Sequence, residues 1–348
     1  MRRGGGAVLS SGAAAVMADR AGIETLRAEL ARTRTLFEIR QGDGGPAWEP
    51  VPAPLPFDWE RGRPLVGAKR FFFAPRENLL EWMDDAVTPL EPGVAPFALV
   101  GVHACDLAAI AHQDRFFADD PWYQRRRGQA FLVGIDCLAA CAGGFCRDVD
   151  AGPFASAGFD LDLTPLPDGR VVVVAGTAAG RDVLATLGYT IAAPPAELQR
   201  AHDAVRAAAE ASFPARPAIA RTIARIDAGA VTHGEWHALG PSCIACTGCT
   251  NVCPTCSCFT VTDERHGEGG TRGRVWDSCL LEGFQREASG HTPAPHAGDR
   301  VRRFWTHKLE HAFVAACGRL GCVGCGRCDV TCPGAIGALG VMERLGDG

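Results

Sequence analysis

Apolar positions along the chain recur first with a helical period, then in short strand-like runs, then with a helical period again. Residues 21–40, "AGIETLRAELARTRTLFEIR", set Leu26, Leu30 and Leu36 among charges and predict a helix. Residues 41–66 are rich in Pro and Gly and read as irregular. From about 67 the pattern turns α/β. "RFFFAP" is a short buried run ended by Pro75, and "ENLLEWMDDAV" reads as helix. "PFALVGV" (96–102) predicts a strand, followed by a helix over 106–117 that Asp106 can cap. "QAFLVGID" (129–136) is the next strand. "FDLDLTPL" (159–166) alternates with period two, and "PDG" turns the chain into "RVVVVAG" (170–176), with "TAAGRDVLATLG" helical after it. Alternating strands and helices imply a sheet with helices packed on it. The Ala-rich stretch 194–228 reads as two helices separated at Pro214 and Pro217. Beyond 241 strand signals fade, and "LLEGFQREAS" and "THKLEHAFVAAC" carry helical patterns.

This divides the chain into a disordered extension (1–20), an α/β domain (21–193), a helical connection (194–240) and a cysteine-rich helical domain (241–348). Residues 1–20 hold two arginines and a small-residue run, but the apolar core is broken at Ser10, Ser11 and Gly12. They read as a floppy extension with Met17 as the true start, not a signal peptide. With 47% hydrophobic and 22% charged residues, the chain can bury a substantial core. A net charge of -5 without runs of one sign argues against a nucleic-acid partner. No stretch approaches the roughly 20 apolar residues of a membrane span. Lys69 and Lys308 are the only lysines, which fits a compositional bias toward arginine.

Most of the sixteen cysteines lie beyond residue 240, in tight groups. Disulfide scaffolds are usually short and stapled throughout, so this crowding favours metal. "CIACTGCTNVCPTC" and "CVGCGRCDVTCP" both contain C-x2-C-x2-C-x3-C-P. That run is the signature of two-cluster ferredoxins, in which the fourth cysteine ligates the other cluster. Three closely spaced thiolates wrap one iron–sulfur cube, small residues (Ala245, Gly248, Gly324, Gly326) let the backbone come close, and a following turn of helix carries the fourth away. One [4Fe-4S] cluster is therefore expected on Cys243, Cys246, Cys249 and Cys332. The other is expected on Cys322, Cys325, Cys328 and Cys253. The competing metal, zinc, prefers pairs of C-x2-C knuckles. The long intervening segment with its helical stretches favours an alpha-helical ferredoxin domain over the small β-rich type.

Cys105, Cys137, Cys141 and Cys146 fall at or after predicted strand ends, where neighbouring loops can meet. They are candidates for a third [4Fe-4S] cluster; the alternative is thiols packed as small hydrophobes. Cys256, Cys258 and Cys279 read as thiols near a cluster or in the core, and Cys317 as the core of a helix. His291, His296, His307 and His311 read as a solvated or docking face. "DLDL" reads as acids on one face of an exposed sheet. No G-x-G-x-x-G follows a strand, and no Walker loop, Ser-His-Asp set or H-E-x-x-H occurs.

Beyond the cysteines, "RFFFAPRENLLEW", "LVGVHACDLAAIAHQDRFF", "GFDLDLTPL", "CIACTGCTNVCPTCSCFTVTDE", "RVWDSC" and "GRLGCVGCGRCDVTCP" carry a resemblance over residues 65–340. The sequence resembles the iron–sulfur beta subunits of cytosolic sulfhydrogenases (bidirectional NiFe hydrogenases) and the related 4Fe-4S dicluster subunits of anaerobic sulfite reductases. The resemblance implies an α/β part joined to a helical two-cluster ferredoxin. It implies electron transfer between a flavin subunit handling NAD(P)H and a subunit with the catalytic metal centre, in the cytoplasm. It maps amino-terminal cluster cysteines onto Cys105, Cys137 and Cys146. The chain departs at Gly144, where relatives often have a cysteine before Phe145; either Cys141 substitutes or the third cluster is altered or absent. It departs again at Ser257, where relatives have histidine. The expected function is thus a non-catalytic electron-transfer subunit. The alternatives are the dicluster subunit of a sulfite reductase, an enzyme in its own right with its site near Cys105 and Asp106, and a redox sensor. The segment 260–315 is the expected docking region.

Overall fold

The computed structural model describes residues 14–52, 55–59, 62–190 and 195–346. The chain starts with strand β1 (Ala14–Asp19), helix α1 (Arg20–Ala31) and the hairpin β2 (Thr35–Gly42) and β3 (Gly45–Pro50). Next come α2 (Lys69–Phe72), the hairpin β4 (Arg76–Met83) and β5 (Ala86–Pro89), β6 (Phe97–His103), α3 (Ala104–Phe116), α4 (Pro121–Gly128) and β7 (Ala130–Ile135). Then follow β8 (Leu161–Pro165), β9 (Arg170–Ala175), α5 (Ala178–Thr186), α6 (Ala196–Ser212), α7 (Pro217–Asp227) and α8 (His233–Leu239). The last part holds α9 (Gly248–Val252), β10 (Phe259–His266), β11 (Gly269–Trp276), α10 (Ala297–Leu309), α11 (Val314–Cys317), α12 (Arg327–Thr331) and α13 (Ala338–Gly346).

Seven strands form one sheet in the order β1-β9-β8-β7-β6-β2-β3. Its centre, β2, β6, β7 and β8, is parallel, while β1, β9 and β3 join antiparallel. Parallel strands covered on both faces need apolar residues at every position, and β6 is buried along its whole length. Period two still sorts the faces. Ala98, Val100, Phe131 and Val133 pack with Ile23, Leu26 and Leu30 of α1. Phe97, Leu99 and Leu132 pack with Phe72 and with Leu107 and Ile110 of α3. The carboxyl ends of β6 and β7 therefore lie side by side, and the cysteine loops leave from there.

Several elements differ from the expectation. Ala14–Asp19 is not disordered but pairs as an edge strand with β9, burying Val16 and Ala18; residues 1–13 lie outside the described residues. The helix over 21–40 stops at Ala31, because Leu36 and Ile39 alternate into the sheet core. Residues 41–66 contain β3. The buried run "RFFFAP" forms most of the short α2, with Phe72 and Phe73 buried. "ENLLEWMDDAV" is the hairpin β4–β5, turned at Asp84 with φ 50°. The region after 241 is not all-α: β10 and β11 form a hairpin that pairs with β4. This four-stranded sheet (β10-β11-β4-β5) takes two strands from each side of the 194–240 connection. "LLEGFQREAS" supplies only a 3-10 turn, Glu282–Gln285. Asp162 of "DLDL" is buried and paired with Arg206, not exposed. Cys317 is half-buried at the end of α11 rather than in a core.

The connection has two allegiances. Leu198 of α6 packs with Ala15, Leu166 and Val172 of the large sheet. Helix α7 packs on α13, where Thr222 Oγ1 donates to Met342 O at 2.7 Å.

Candidate metal centres

The two cysteine runs are built alike. In the first, α8 passes through the turn Gly240–Ser242 to Cys243, and the backbone turns left-handed at Ala245 (φ 54°) and Thr247 (φ 61°). In the second, Gly324 (φ 61°) and Gly326 (φ 68°) take the equivalent steps. These kinks curl each loop so that three sulfurs face one point. The left-handed region is open to glycine and costs alanine and threonine free energy. Each loop then enters one turn of helix, α9 or α12. The two helices lie so close that a Cβ on Gly248 would stand 2.6 Å from Thr331 Cγ2. Both helices end in extended backbone at Cys253 and Cys332, with Pro254 and Pro333 following.

This exchange of helices groups the thiols crosswise. One cavity of about 430 Å³ is lined by Cys243, Cys246, Cys249 and Cys332. Another of about 380 Å³ is lined by Cys253, Cys322, Cys325 and Cys328. The first opens toward the surface, where Ile244 is 70% exposed. The second is enclosed by Phe145, Phe304, Trp305 and Val323. A third cavity of about 350 Å³ brings together Cys105, Cys137, Cys141 and Cys146 beyond the ends of β6 and β7. Cys325 lines both the second and the third, so the cavities adjoin in series. Gly152 admits the third set: a Cβ there would meet Cys146 Sγ at 2.9 Å.

The donor chemistry fits iron–sulfur clusters. All sixteen cysteines are free thiols. Among the described residues, the one His, Cys, Asp or Glu group with ligand atoms mutually within 4.8 Å is His233, His237 and Asp299. The cysteine sets are therefore wider than a tetrahedral zinc–thiolate site, whose sulfurs stand roughly 3.8 Å apart given bonds of about 2.3 Å. Burial, and then repulsion from Cys253, Cys332, Cys243 and Cys246, pushes the Cys249 thiol up to about 12. Burial likewise pushes Cys322 up to about 12. To ionise, thiols gathered this way need a metal cation among them. Backbone amides already aim at the sulfurs: Gly324 N–H donates to Cys322 Sγ at 3.4 Å and Ala338 N–H to Cys328 Sγ at 3.3 Å.

Several residues around the second cavity give no signal in the sequence. Arg327 and Asp106 form a bidentate pair, both bonds 2.7 Å and both side chains fully buried, which joins α3 to the second run. Lys308 and Lys69, the only lysines, are 3% and 5% exposed. Lys308 Nζ donates to Thr255 Oγ1 at 2.8 Å, and Lys69 Nζ donates to Cys256 O at 3.2 Å and sits 3.8 Å over the Trp276 ring. Burial works against the Lys308 charge, yet Cys253 and Cys256 outweigh it and its pKa rises. At Lys308 the surrounding sulfurs thus favour the charge, whereas at Lys69 burial outweighs them and lowers the pKa. Cys256, Cys258 and Cys279 lie within reach of Lys308 outside the three sets. Hydrogen bonding with Cys279 draws Cys258 down to about 6. Of the four histidines expected on one face, His307 is half-buried and pushed down to about 4 by desolvation, while His311 pairs with Asp227.

Residues 242–336 match a family described as a 4Fe-4S dicluster domain. Across 293 residues the chain is 32% identical to sulfhydrogenase 2 subunit beta of Pyrococcus furiosus, an alignment that covers 82% of this chain and 84% of that protein. Among the described residues no helix is long and apolar enough to cross a membrane.

Proposed function

The chain belongs to the sulfhydrogenase beta-subunit family, and from that premise we propose that it relays single electrons through [4Fe-4S] clusters inside a multi-subunit oxidoreductase. One cluster would be held by Cys243, Cys246, Cys249 and Cys332, and a second by Cys322, Cys325, Cys328 and Cys253. A third would be held by Cys105, Cys137, Cys141 and Cys146. The observation that carries this reading is the serial contact of three four-thiol cavities, with Cys325 common to two walls. Bound clusters supply one-electron redox chemistry. The chain's part is to space the clusters, keep water from the second one, and set potentials through amide and lysine charge.

In this reading one end of the relay meets a flavin subunit that handles NAD(P)H, and the other meets a subunit with the catalytic metal centre. A chain rich in free thiols suits the reducing cytoplasm. The hydrogenase-type partner is favoured over sulfite reductase by the identity to the Pyrococcus protein.

Iron and sulfide quantitation on anaerobically prepared protein tests the proposal. About twelve iron atoms per chain are expected for three cubes, and about eight if the amino-terminal set stays metal-free. Cys249→Ser should remove one cluster's EPR signal and leave the others. Retention of every signal, or zinc in place of iron, contradicts the assignment.

A further inference from the structure

Outside the cysteine sets, one group of side chains among the described residues has the geometry of a metal site. His233 and His237 stand one turn apart on α8, with ring centroids 3.9 Å apart. Both turn Nε2 toward a single oxygen, Asp299 Oδ1, on the first turn of α10. The separations are 3.5 Å from His233 and 2.9 Å from His237. Ligands bound tetrahedrally at about 2.0–2.1 Å lie roughly 3.3 Å apart, and these two distances bracket that value. The other carboxylate oxygen, Oδ2, is occupied by the His296 backbone N–H at 3.3 Å, which fixes the direction of Oδ1.

The helices approach closely enough for this because of two glycines. A Cβ on Gly298 would lie 2.7 Å from His237 Cα, and one on Gly240 would lie 2.9 Å from Gly298 N. The trio is therefore set by backbone packing, not by long side chains reaching across a gap. Two neutral rings in the Nε2–H tautomer can both donate to Oδ1, so hydrogen bonding also satisfies the trio; what points to a metal is the near-tetrahedral ligand spacing held by the helix pair. A divalent cation satisfies both nitrogens and the oxygen together.

We propose that His233, His237 and Asp299 bind a divalent ion of the zinc class through two imidazole nitrogens and one carboxylate oxygen. The remaining position faces solvent, since His233 is largely exposed. The ion clasps α8 to α10. Helix α8 leads into Cys243, and α10 gives Val301, Phe304 and Trp305 to the wall of the first cavity. The site thus braces the outermost cluster loop. It depends only on these residues and not on the electron-transfer reading.

The test uses the full chain with its iron–sulfur clusters in place, titrated with zinc and examined by zinc-edge X-ray absorption. One zinc per chain with nitrogen and oxygen neighbours is expected. His233→Ala removes an exposed ligand without disturbing the core, and Asp299→Asn keeps the side chain's shape. Each should weaken the nitrogen- and oxygen-bound zinc at least about 10-fold at unchanged iron content. Absence of such zinc in the unaltered chain at micromolar free metal, or variants that bind it as well as the unaltered chain, would overturn the proposal. Iron content is measured on the same samples, so failure of the cluster reading is seen separately.

Discussion

Lys308 shows how much a single residue can set. It lines the second cavity beside Cys253 and Cys322, and no carboxylate among the described residues pairs with it. The other cation on that wall, Arg327, is neutralised by Asp106. Among the described residues the first cavity has no charged side chain on its wall. A buried positive charge stabilises the added electron, so the second cluster should sit at higher potential than the first. Lys308→Met should lower the second cluster's midpoint by tens of millivolts or more, at least on the order of 1 kcal/mol at an effective dielectric constant of about 20, and shift the first less. EPR-monitored redox titration reads both; equal shifts would argue against a local charge effect. Asp106 carries a different prediction. Asp106→Ala strands the Arg327 guanidinium in the interior and should cost about 3–5 kcal/mol in denaturant unfolding. A change under about 1 kcal/mol would mean that water or another group replaces the carboxylate.

At the scale of elements, the cysteine loops are the most constrained pieces of backbone. Gly324 combines φ 61° with a site where a Cβ would meet Phe145 O at 2.6 Å. Gly324→Ala should therefore displace the loop and lower occupancy of the second cluster, whereas Ala245→Gly at the equivalent step should relieve strain. Iron content of the two variants, compared with the parent, checks this. Helix α8, which leads into the first run, depends on its cap. Thr232 and Glu235 form a capping box, and hydrogen bonds from Thr232, with help from Arg225, hold the Glu235 carboxyl down at about 2. Thr232→Ala should destabilise the protein by about 1 kcal/mol. The folded pKa of Glu235 lies below its unfolded value. Its share of the stability is therefore complete above about 4.5 and drains as pH falls toward 2. Glu235→Gln should flatten the acid limb of a stability–pH curve in that window.

Across the whole molecule, the large sheet and the cluster region share one structure through β4, β5, β10 and β11. The edge strand β1 completes the large sheet. Deleting residues 1–19 strips β1 from β9 and should lower the thermal midpoint, while iron per folded chain stays the same. An unchanged midpoint would show that the strand is dispensable. Some of this was legible in the sequence. The cysteine spacing pointed to three thiols of each run meeting in a tight local loop, and the two-cluster ferredoxin signature, not spacing, supplied the crosswise fourth. Strands β6, β7, β8 and β9 were legible because a strand buried in a sheet must be apolar or alternate along its own length. The hairpin at 259–276 was readable from its Thr and Val alternation and the turn at Gly267, but the cysteine-rich surroundings hid it. What lay beyond the sequence was everything with a distant partner. Strand β4 is mostly solvent-facing and takes its conformation from β11, which comes nearly two hundred positions later. Asp106 looks like a cap until Arg327 arrives beside it, and Lys308 looks like a surface charge until Cys253, Cys256, Cys322 and Cys279 gather around it. Local spacing and period are properties of neighbouring residues and can be read in order. Pairing, burial and charge balance depend on segments that meet only after the chain has folded, and only the tertiary structure decides them.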